Sequence, residues 1–421
     1  MAADDTSASL RTLLDAAVSD GAAPGLVACA FTRNGTFASS ASGVSSVESK
    51  APMTLDTAVW LASSSKPTVS LAALSIIEKE GFDLDSHDEL VKVIPELGKD
   101  WPGTHVWTLY DGKDDKGEWK FKQATKGITL RQIMTHTSGV SVGYWSDELV
   151  SFREKVPDVP GEITNLINMP RLFEAGERYH YGANSTLLGL FLIRKTGKPL
   201  RKVLWDSVLE PLGCKPDTLD AFITPKMREN VAVVAGRNPV DQSFGPLPFV
   251  FETPQYEDEP PEGFMAIGDA PLYGKLPAYV DVLRTFFDGP SIVSPETWKK
   301  GTADDLKAQA LSTPTKPFWY GALPWLTSTT EKWAELQDGS PDPVFGWNLL
   351  QTLIHRSETK TGLQPGTLEW AGLANTYYFV DPSSGVGGII SAQYFPFADP
   401  AMITVRDKFF SWVYEHAPKT Q

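Results

Sequence analysis

The sequence predicts an α/β protein in which a sheet domain is completed by the C-terminal part of the chain and carries a mostly helical insertion. Strand-like runs near both ends of the chain and a helical middle section lead to this prediction. At 421 residues the chain is also too long for one ordinary core. We therefore expect a discontinuous sheet domain of residues 1–85 and 226–421, a helical domain of residues 86–225, and an active site in the cleft between them.

The N-terminal segment predicts a helix followed by a β-hairpin. Residues 8–22 have helical periodicity. Residues 25–31 and 36–38 are strand-like, and the Asn34-Gly35 pair between them is typical of a tight hairpin turn.

The middle of the chain is mostly helical. Helical patterns follow Ser63 and recur at residues 130–135, 186–195 and 199–209. The charged turn at residues 111–117 is expected to be the tip of a solvated hairpin, and residues 256–262 are expected to form an acidic, proline-rich loop.

The C-terminal part supplies further strands and two helices. Residues 276–287 look helical, and residues 377–380 and 388–394 look like adjacent strands. Residues 403–416 predict a closing helix that completes the sheet domain.

Composition restricts the possible partners and cofactors. The formal net charge is −14, and an acidic surface repels nucleic acid and anionic membranes, so neither is expected as a partner. Cys29 and Cys214 are too few for a disulfide framework, and neither they nor the six histidines stand in a metal-ligand spacing. We expect no metal and no cofactor.

The N-terminus carries no basic segment followed by an apolar one, so no secretory signal is predicted. No apolar run approaches the roughly 18 residues that a membrane helix needs. The expected location is therefore the cytoplasm.

Ser63 and Lys66 are the first candidate catalytic residues. An apolar run precedes Ser63 and a helical pattern follows it, which puts Ser63 where a strand passes into a helix, with Lys66 on the same face. The first N–H groups of a helix are unpaired and positively polarised, so an anion has a binding site beside this hydroxyl. Lys66 is expected to accept the serine proton, provided that burial and positive neighbours leave some free amine near neutral pH.

The Ser-x-x-Lys spacing also arises by chance. A chain with this much serine and lysine should contain it about once or twice, and Ser357-Glu358-Thr359-Lys360 is a second copy. The context of each copy must therefore distinguish them.

Ordered motifs along nearly the whole chain supply that context. They are Ser63-x-x-Lys66, Asp83-Leu84-Asp85, and residues 93–97, 128–139, 176–181, 210–213, 293–297 and 379–382. In this order they resemble the class C β-lactamase-like serine hydrolases, a penicillin-binding-protein-like family. Within it, residues 181–184 and 372–375 look most similar to the lovastatin-type acyltransferases and transesterases. The resemblance implies a β-lactamase-like antiparallel sheet flanked by helices and a catalytic Ser63.

The resemblance also implies that Tyr181 is a base or proton shuttle beside Ser63. A phenol is rarely ionised at neutral pH, so two cations, Lys66 and a second basic group, are expected to stabilise its phenolate. Tyr179 is the alternative position for this motif. The β-lactamases have Tyr-x-Asn here, whereas Asn184 comes one place late. We expect Asn184 in the substrate-binding region and a different acyl group to be recognised.

Two segments compete for the third motif of the family. Residues 360–362 spell the Lys-Thr-Gly of β-lactamases, but a loop pattern follows them. Residues 370–372 precede a strand and fit the esterase variant. Trp370 cannot bind a substrate carboxylate as lysine or histidine does there, so an apolar, wide acyl site is expected.

The segment at residues 370–372 also predicts an oxyanion hole. If it is the edge strand, the backbone N–H groups of Leu373 and Ser63 bind the oxyanion. Gly372 then lets substrate approach the backbone closely. Trp370 and Gly372 are accordingly expected to line the substrate site.

A histidine such as His136 in a serine enzyme suggests a Ser-His-Asp triad. Its segment, residues 135–139, is typical of a helix end with a glycine cap, where a histidine satisfies backbone carbonyls. We expect a structural role for it.

These residues together predict an enzyme that transfers an acyl group from an ester or thioester through an acyl-enzyme on Ser63, while Lys66 and Tyr181 move the protons. The expected partners are a small-molecule acyl donor and, for transfer, an alcohol acceptor; the oligomeric state is not predicted. A β-lactamase or D,D-peptidase is an alternative that the missing cation and missing signal peptide disfavour. A catalytically silent relative that binds a small molecule or a partner protein is another, which the intact catalytic residues disfavour.

Overall fold

The computed structural model describes residues 3–141, 149, 164–182, 184–221, 223–247, 269–309, 311 and 345–418. The acidic loop expected at residues 256–262 and the residue between Gly182 and Asn184 lie outside this part of the chain.

The described helices and strands are interspersed along the chain, and several stand in consecutive runs of one type. The helices are α1 Ala3–Ser19, α2 Lys66–Glu80, α3 His87–Val93, α4 Leu130–Met134, α5 Thr164–Ile167, α6 Asn184–Thr196, α7 Leu200–Leu204, α8 Pro225–Arg228, α9 Leu276–Arg284, α10 Pro295–Thr302, α11 Asp305–Ala308 and α12 Pro400–His416. The strands are β1 Gly25–Thr32, β2 Gly35–Gly43, β3 Val59–Trp60, β4 Thr108–Lys113, β5 Trp119–Gln123, β6 Leu219–Ala221, β7 Ala235–Arg237, β8 Phe244–Pro246, β9 Leu272–Gly274, β10 Phe345–Trp347, β11 Leu353–His355, β12 Leu368–Gly372, β13 Thr376–Asp381, β14 Val386–Ser391 and β15 Tyr394–Phe395. Short 3₁₀ turns lie at Ala62–Ser65 and Pro95–Leu97, and a π turn at Trp205–Leu209 extends α7.

The main sheet of the described chain is antiparallel and has the strand order β10-β11-β12-β13-β14-β1-β2. The predicted N-terminal hairpin forms β1 and β2. Its first strand pairs with β14 in a register that places Ala28 opposite Ile390. The C-terminal part of the chain therefore completes a sheet that the N-terminal hairpin begins, as the sequence predicts.

Strand β13 shows how helices cover both faces of this sheet. Phe379 packs against Phe410 of α12, with ring centroids 4.6 Å apart. The next side chain back along the strand, Tyr378, points the other way and packs against Tyr279 of α9. Because both faces are covered, β13 and β14 are buried at every position. The predicted fold class, an antiparallel sheet flanked by helices, is confirmed.

Helices α3 to α7 lie within the predicted helical domain, and the main sheet takes no strand from it within the described residues. The charged turn at residues 111–117 connects the β4–β5 hairpin, as expected. However, β6 of this segment pairs with β9, which also pairs with β3. This small sheet joins the segment to the strand before Ser63, and the division into two domains stays a prediction.

The prediction that residues 370–372 form an edge strand is only half right. Strand β12 has β11 beside it, because Glu369 pairs with Leu353 and Leu368 with Ile354. That pairing stops at Glu369, so on this side the second half of β12 has no strand partner among the described residues. Strands β10 and β11, which lie outside β12, are three residues long, too short to show a periodic pattern in the sequence.

No helix in the described part of the chain combines the length and the apolar character that crossing a membrane requires.

Strand β12 carries a charged side chain, Glu369, where it meets α12. Its Oε2 lies 2.6 Å from Nε2 of His355, and its Oε1 lies 3.6 Å from the guanidinium of Arg406. Burial alone would raise the pKa of the Glu369 carboxyl, but the hydrogen bond and charge of His355 and the charge of Arg406 outweigh it and lower the pKa. The carboxylate therefore stabilises the folded state in its ionised form.

We predict that Glu369→Gln lowers the free energy of unfolding by about 1.5–3 kcal/mol at pH 7, the usual contribution of a hydrogen bond to a charged group. Because the folded-state pKa is depressed, this contribution is present above the ordinary pKa of 4.5 and is lost as pH falls through the folded value. Urea denaturation from pH 7 to pH 3 should show the two curves converging in acid. Glu296→Gln, which breaks an exposed pair with Lys300, serves as the matched control without effect. A difference that grows in acid would contradict this assignment.

Candidate active site

Ser63 lies in the short turn that connects β3 to α2. The preceding residue, Ala62, has φ = 47°, a left-handed conformation that costs energy for any residue with a Cβ. The 3₁₀ turn Ala62–Ser65 runs directly into α2, so Ser63 and Lys66 stand on consecutive turns of one continuous helix. The predicted passage from strand to helix is confirmed.

Neighbouring elements hold this turn by hydrogen bonds. Tyr279 of α9 donates its hydroxyl to the carbonyl of Ser64. The backbone N–H of Leu272 donates to Oγ of Ser65 over 3.0 Å. The Gln393 amide accepts from the N–H of Trp60 over 3.0 Å and donates to its carbonyl over 2.9 Å. The backbone on both sides of Ser63 is therefore fixed by groups that are distant in sequence.

The hydroxyl of Ser63 meets both predicted proton carriers. Nζ of Lys66 lies 3.1 Å from Oγ of Ser63, and the hydroxyl of Tyr181 lies 2.9 Å from the same atom. Nζ of Lys66 is also 5.0 Å from the centre of the Tyr181 ring. The second Ser-x-x-Lys copy has no such arrangement, because Ser357 and Lys360 are exposed residues outside the described helices and strands. Geometry thus distinguishes the two copies.

Lys66 is buried, with 1% of its surface exposed. Among the described residues it contacts a negative side chain, that of Asp269, whose Oδ1 lies 3.4 Å from Nζ and whose backbone carbonyl accepts a hydrogen bond over 2.8 Å. The role of Lys66 as the base stays a prediction. Asp269 directly precedes the segment that leads into β9, and no motif in the sequence marks it.

Aromatic side chains surround the ring of Tyr181. The centroid of His136 is 4.6 Å away, that of Trp370 5.2 Å and that of Trp347 6.2 Å. Trp347 and Trp370 also pack edge to face at 4.5 Å. The motif at residues 370–372 identifies Trp370. Trp347 was not predicted, because a tryptophan in a three-residue strand carries no local signal of function.

His136 is fully buried and packs against Tyr181, which agrees with a structural role. Burial, then the charge of Lys66, lower its pKa well below the ordinary value. It is therefore a neutral ring and not the second cation expected beside the tyrosine. Its Nδ1 accepts from the N–H of Gly182 over 3.4 Å, and His136 itself adopts the left-handed conformation after α4, with φ = 54°. The helix end thus differs from the predicted glycine cap.

Tyr179, the alternative position for the tyrosine motif, packs against the rings of His136 and Trp347. Burial, and then Tyr181, raise its pKa well above the ordinary value. The hydrogen bond to Ser63 comes from Tyr181. The geometry therefore favours Tyr181.

Gly372 and Leu373 lie where β12 approaches the nucleophile turn. A Cβ at Gly372 would stand 2.2 Å from the carbonyl oxygen of Leu61 and 3.2 Å from Oγ of Ser64. Only glycine lets the strand come this close. Leu373 is the first residue of the turn after β12, and its role in an oxyanion hole stays a prediction.

Asn184 begins α6 and is fully buried. Its Oδ1 accepts from the hydroxyl of Ser138, and its Nδ2 donates to the carbonyl of Val140 over 3.3 Å. Both ends of the amide therefore hold the segment after α4 in place. The predicted contact of Asn184 with substrate stays a prediction.

Comparisons with known proteins show the family of the chain and several relatives. The family model described as Beta-lactamase matches residues 10–407. Monacolin J acid methylbutanoyltransferase from Aspergillus terreus is 25% identical over 369 residues, covering 83% of this chain and 80% of that enzyme. Esterase EstB from Burkholderia gladioli is 25% identical over 391 residues, covering 88% and 86%.

Solved structures share the fold. Unliganded simvastatin synthase (LovD) from Aspergillus terreus superimposes with a TM-score of 0.76 at 20% identity, over 99% of each chain.

We predict that Gly372→Ala slows acylation, since the new Cβ must displace the carbonyl of Leu61 and with it the turn that carries Ser63. A misplacement of about 1 Å slows an enzyme by roughly 10²-fold, and single-turnover kinetics with an activated ester measures the loss. Gly245→Ala is the matched control, because a Cβ there meets no atom within 4 Å. Equal acylation rates for the two variants would contradict a role for β12 in the active site.

Proposed function

The chain belongs to the Beta-lactamase family, and we propose that it is a serine esterase or transesterase that acts on neutral esters or thioesters of small molecules. Serine acyl transfer as the general activity agrees with its relatives, which are named as an acyltransferase and an esterase. One observation carries the assignment to this site: Oγ of Ser63 lies within hydrogen-bond distance of both Nζ of Lys66 and the hydroxyl of Tyr181.

Acylation begins with transfer of the Ser63 proton. The free amine of Lys66 accepts it while Oγ attacks the carbonyl carbon of the ester. The backbone N–H groups of Ser63 and Leu373 bind the oxyanion that forms. Tyr181 then gives its hydroxyl proton to the departing alkoxide or thiolate and recovers a proton from the Lys66 ammonium.

Deacylation follows the same route in reverse. Tyr181 and Lys66 take a proton from the incoming water or alcohol, which attacks the acyl carbon, and Ser63 leaves with its proton restored. Water gives hydrolysis and an alcohol gives transfer. The small-molecule donor and the alcohol acceptor are part of this proposal, as is a cytoplasmic location.

Trp370 is the residue that favours the assignment of neutral substrates. It lies in β12 and packs on Tyr181. The resemblance to the family implies that this is the strand position where β-lactamases carry a cation. A substrate carboxylate gains no charge-assisted hydrogen bond from an indole. Lys360, which spells the β-lactamase motif, is exposed in a turn outside β12. Penicillins are therefore expected to be poor substrates.

We predict that wild-type protein incubated with p-nitrophenyl esters or acyl thioesters gains the mass of one acyl group, while Ser63→Ala gains none and loses turnover by at least about 10³-fold. Intact-mass spectrometry detects the adduct, and benzylpenicillin in the same panel should give none that turns over efficiently.

Ser357→Ala is the control for this experiment, since it removes the exposed copy of the motif and should acylate like wild type. Full activity in Ser63→Ala would refute the proposal. Efficient penicillin hydrolysis that Lys360→Ala abolishes would replace it with a β-lactamase assignment.

A further inference from the structure

We propose that Asp269 is a positioning residue that aims the nitrogen of Lys66 at Ser63. The proposal rests on the function proposed above and deepens it. Among the described residues, three oxygen atoms lie close to Nζ of Lys66: Oγ of Ser63 at 3.1 Å, the carbonyl oxygen of Asp269 at 2.8 Å and Oδ1 of Asp269 at 3.4 Å. Asp269 supplies two of these three atoms.

The valence of the amine makes this arrangement directional. A free lysine amine has two N–H groups and one lone pair, whereas a carbonyl and a carboxylate only accept hydrogen bonds. One N–H donates to the carbonyl of Asp269. Turning the second N–H towards the negatively charged Oδ1, which lies 3.4 Å away as an ion-pair contact and not as a hydrogen bond, leaves the lone pair facing Oγ of Ser63. Any other orientation sets the lone pair against an oxygen of Asp269. Asp269 therefore selects the orientation in which Lys66 accepts the serine proton.

The same contacts suit the product of the proton transfer. The O–H bond of Ser63 breaks, a third N–H bond forms on Lys66, and no further reactant is needed. The new ammonium arises beside the carboxylate of Asp269, which stabilises positive charge there. Orienting the base and stabilising its protonated form are the tasks that the third member of a catalytic triad performs.

Asp269 is itself held in place by α6. The hydroxyl of Thr186 donates a hydrogen bond to Oδ2, which leaves Oδ1 directed at Lys66. Within the described part of the chain no hydrogen-bond donor reaches Oδ1, and the atom is buried. Lys66 thus supplies the charge that compensates it.

A double-mutant cycle separates positioning from a general structural effect. Asp269→Asn keeps the shape and an acceptor for Thr186 but removes the charge. Single-turnover release of p-nitrophenol from p-nitrophenyl acetate should slow by roughly 10²-fold, with KM changed less than twofold. In a Lys66→Ala background the same substitution should change the rate less than twofold, since its target is absent. Asp281→Asn, on the exposed side of α9, is the matched control without effect.

An equal loss in both backgrounds, or no loss in the wild-type background, would overturn the role of Asp269. If Asp269→Asn does not fold, Thr186→Val is measured in the same two backgrounds, and it should slow acylation only where Lys66 is present. Failure of the proposed function has a different signature, because wild-type protein would then form no acyl-enzyme at all.

Discussion

The position of one backbone turn governs the chemistry of this protein. Ser63 follows an alanine in the left-handed conformation, and that strain persists only because the surrounding structure determines it. Tyr279, Leu272 and Gln393 supply the hydrogen bonds that do so. These groups come from two parts of the chain that are distant from Ser63 in sequence, residues 272–279 and Gln393. Folding of the sheet and its helices therefore builds the nucleophile's conformation.

The site has two kinds of surroundings: aromatic side chains around Tyr181, and the carboxylate of Asp269 beside Lys66. His136, Trp347 and Trp370 enclose the ring of Tyr181, and the histidine is held neutral by burial and by the Lys66 charge. Lys66 has the Asp269 carboxylate as its counterion. Within the described residues, the positive charge beside Ser63 is thus matched inside the protein and not by the substrate. An apolar acyl group fits such a site better than an anionic one.

Local patterns in the sequence were enough to find the residues that act together. Ser63 and Lys66 are marked by the passage from strand to helix, and Tyr181 by its motif, so their meeting was predictable. The hairpin of β1 and β2 has an explicit turn signal.

Long-range contacts account for what the sequence did not reveal. Asp269 reaches Lys66 from more than two hundred positions away in a segment without periodicity. Trp347 lies in β10, a strand of only three residues. Strands β10 and β11 are both too short to be recognised in the sequence, and β11 pairs with the first half of β12. The amide of Asn184 binds Ser138 and Val140, which are more than forty positions earlier in the chain. Such partners become visible only when the chain is folded.

In the proposed mechanism the hydroxyl of Tyr181 moves protons for Ser63. This role is tested by kcat for Tyr181→Phe and Tyr179→Phe with one activated ester, alongside thermal unfolding of both variants. Each substitution keeps the ring and removes only an oxygen, so packing is matched. We expect a loss of about 10²–10⁴-fold for Tyr181→Phe, the usual contribution of general acid–base catalysis, and a mild effect for Tyr179→Phe. The reverse ranking would contradict it and move the catalytic tyrosine two residues towards the N-terminus.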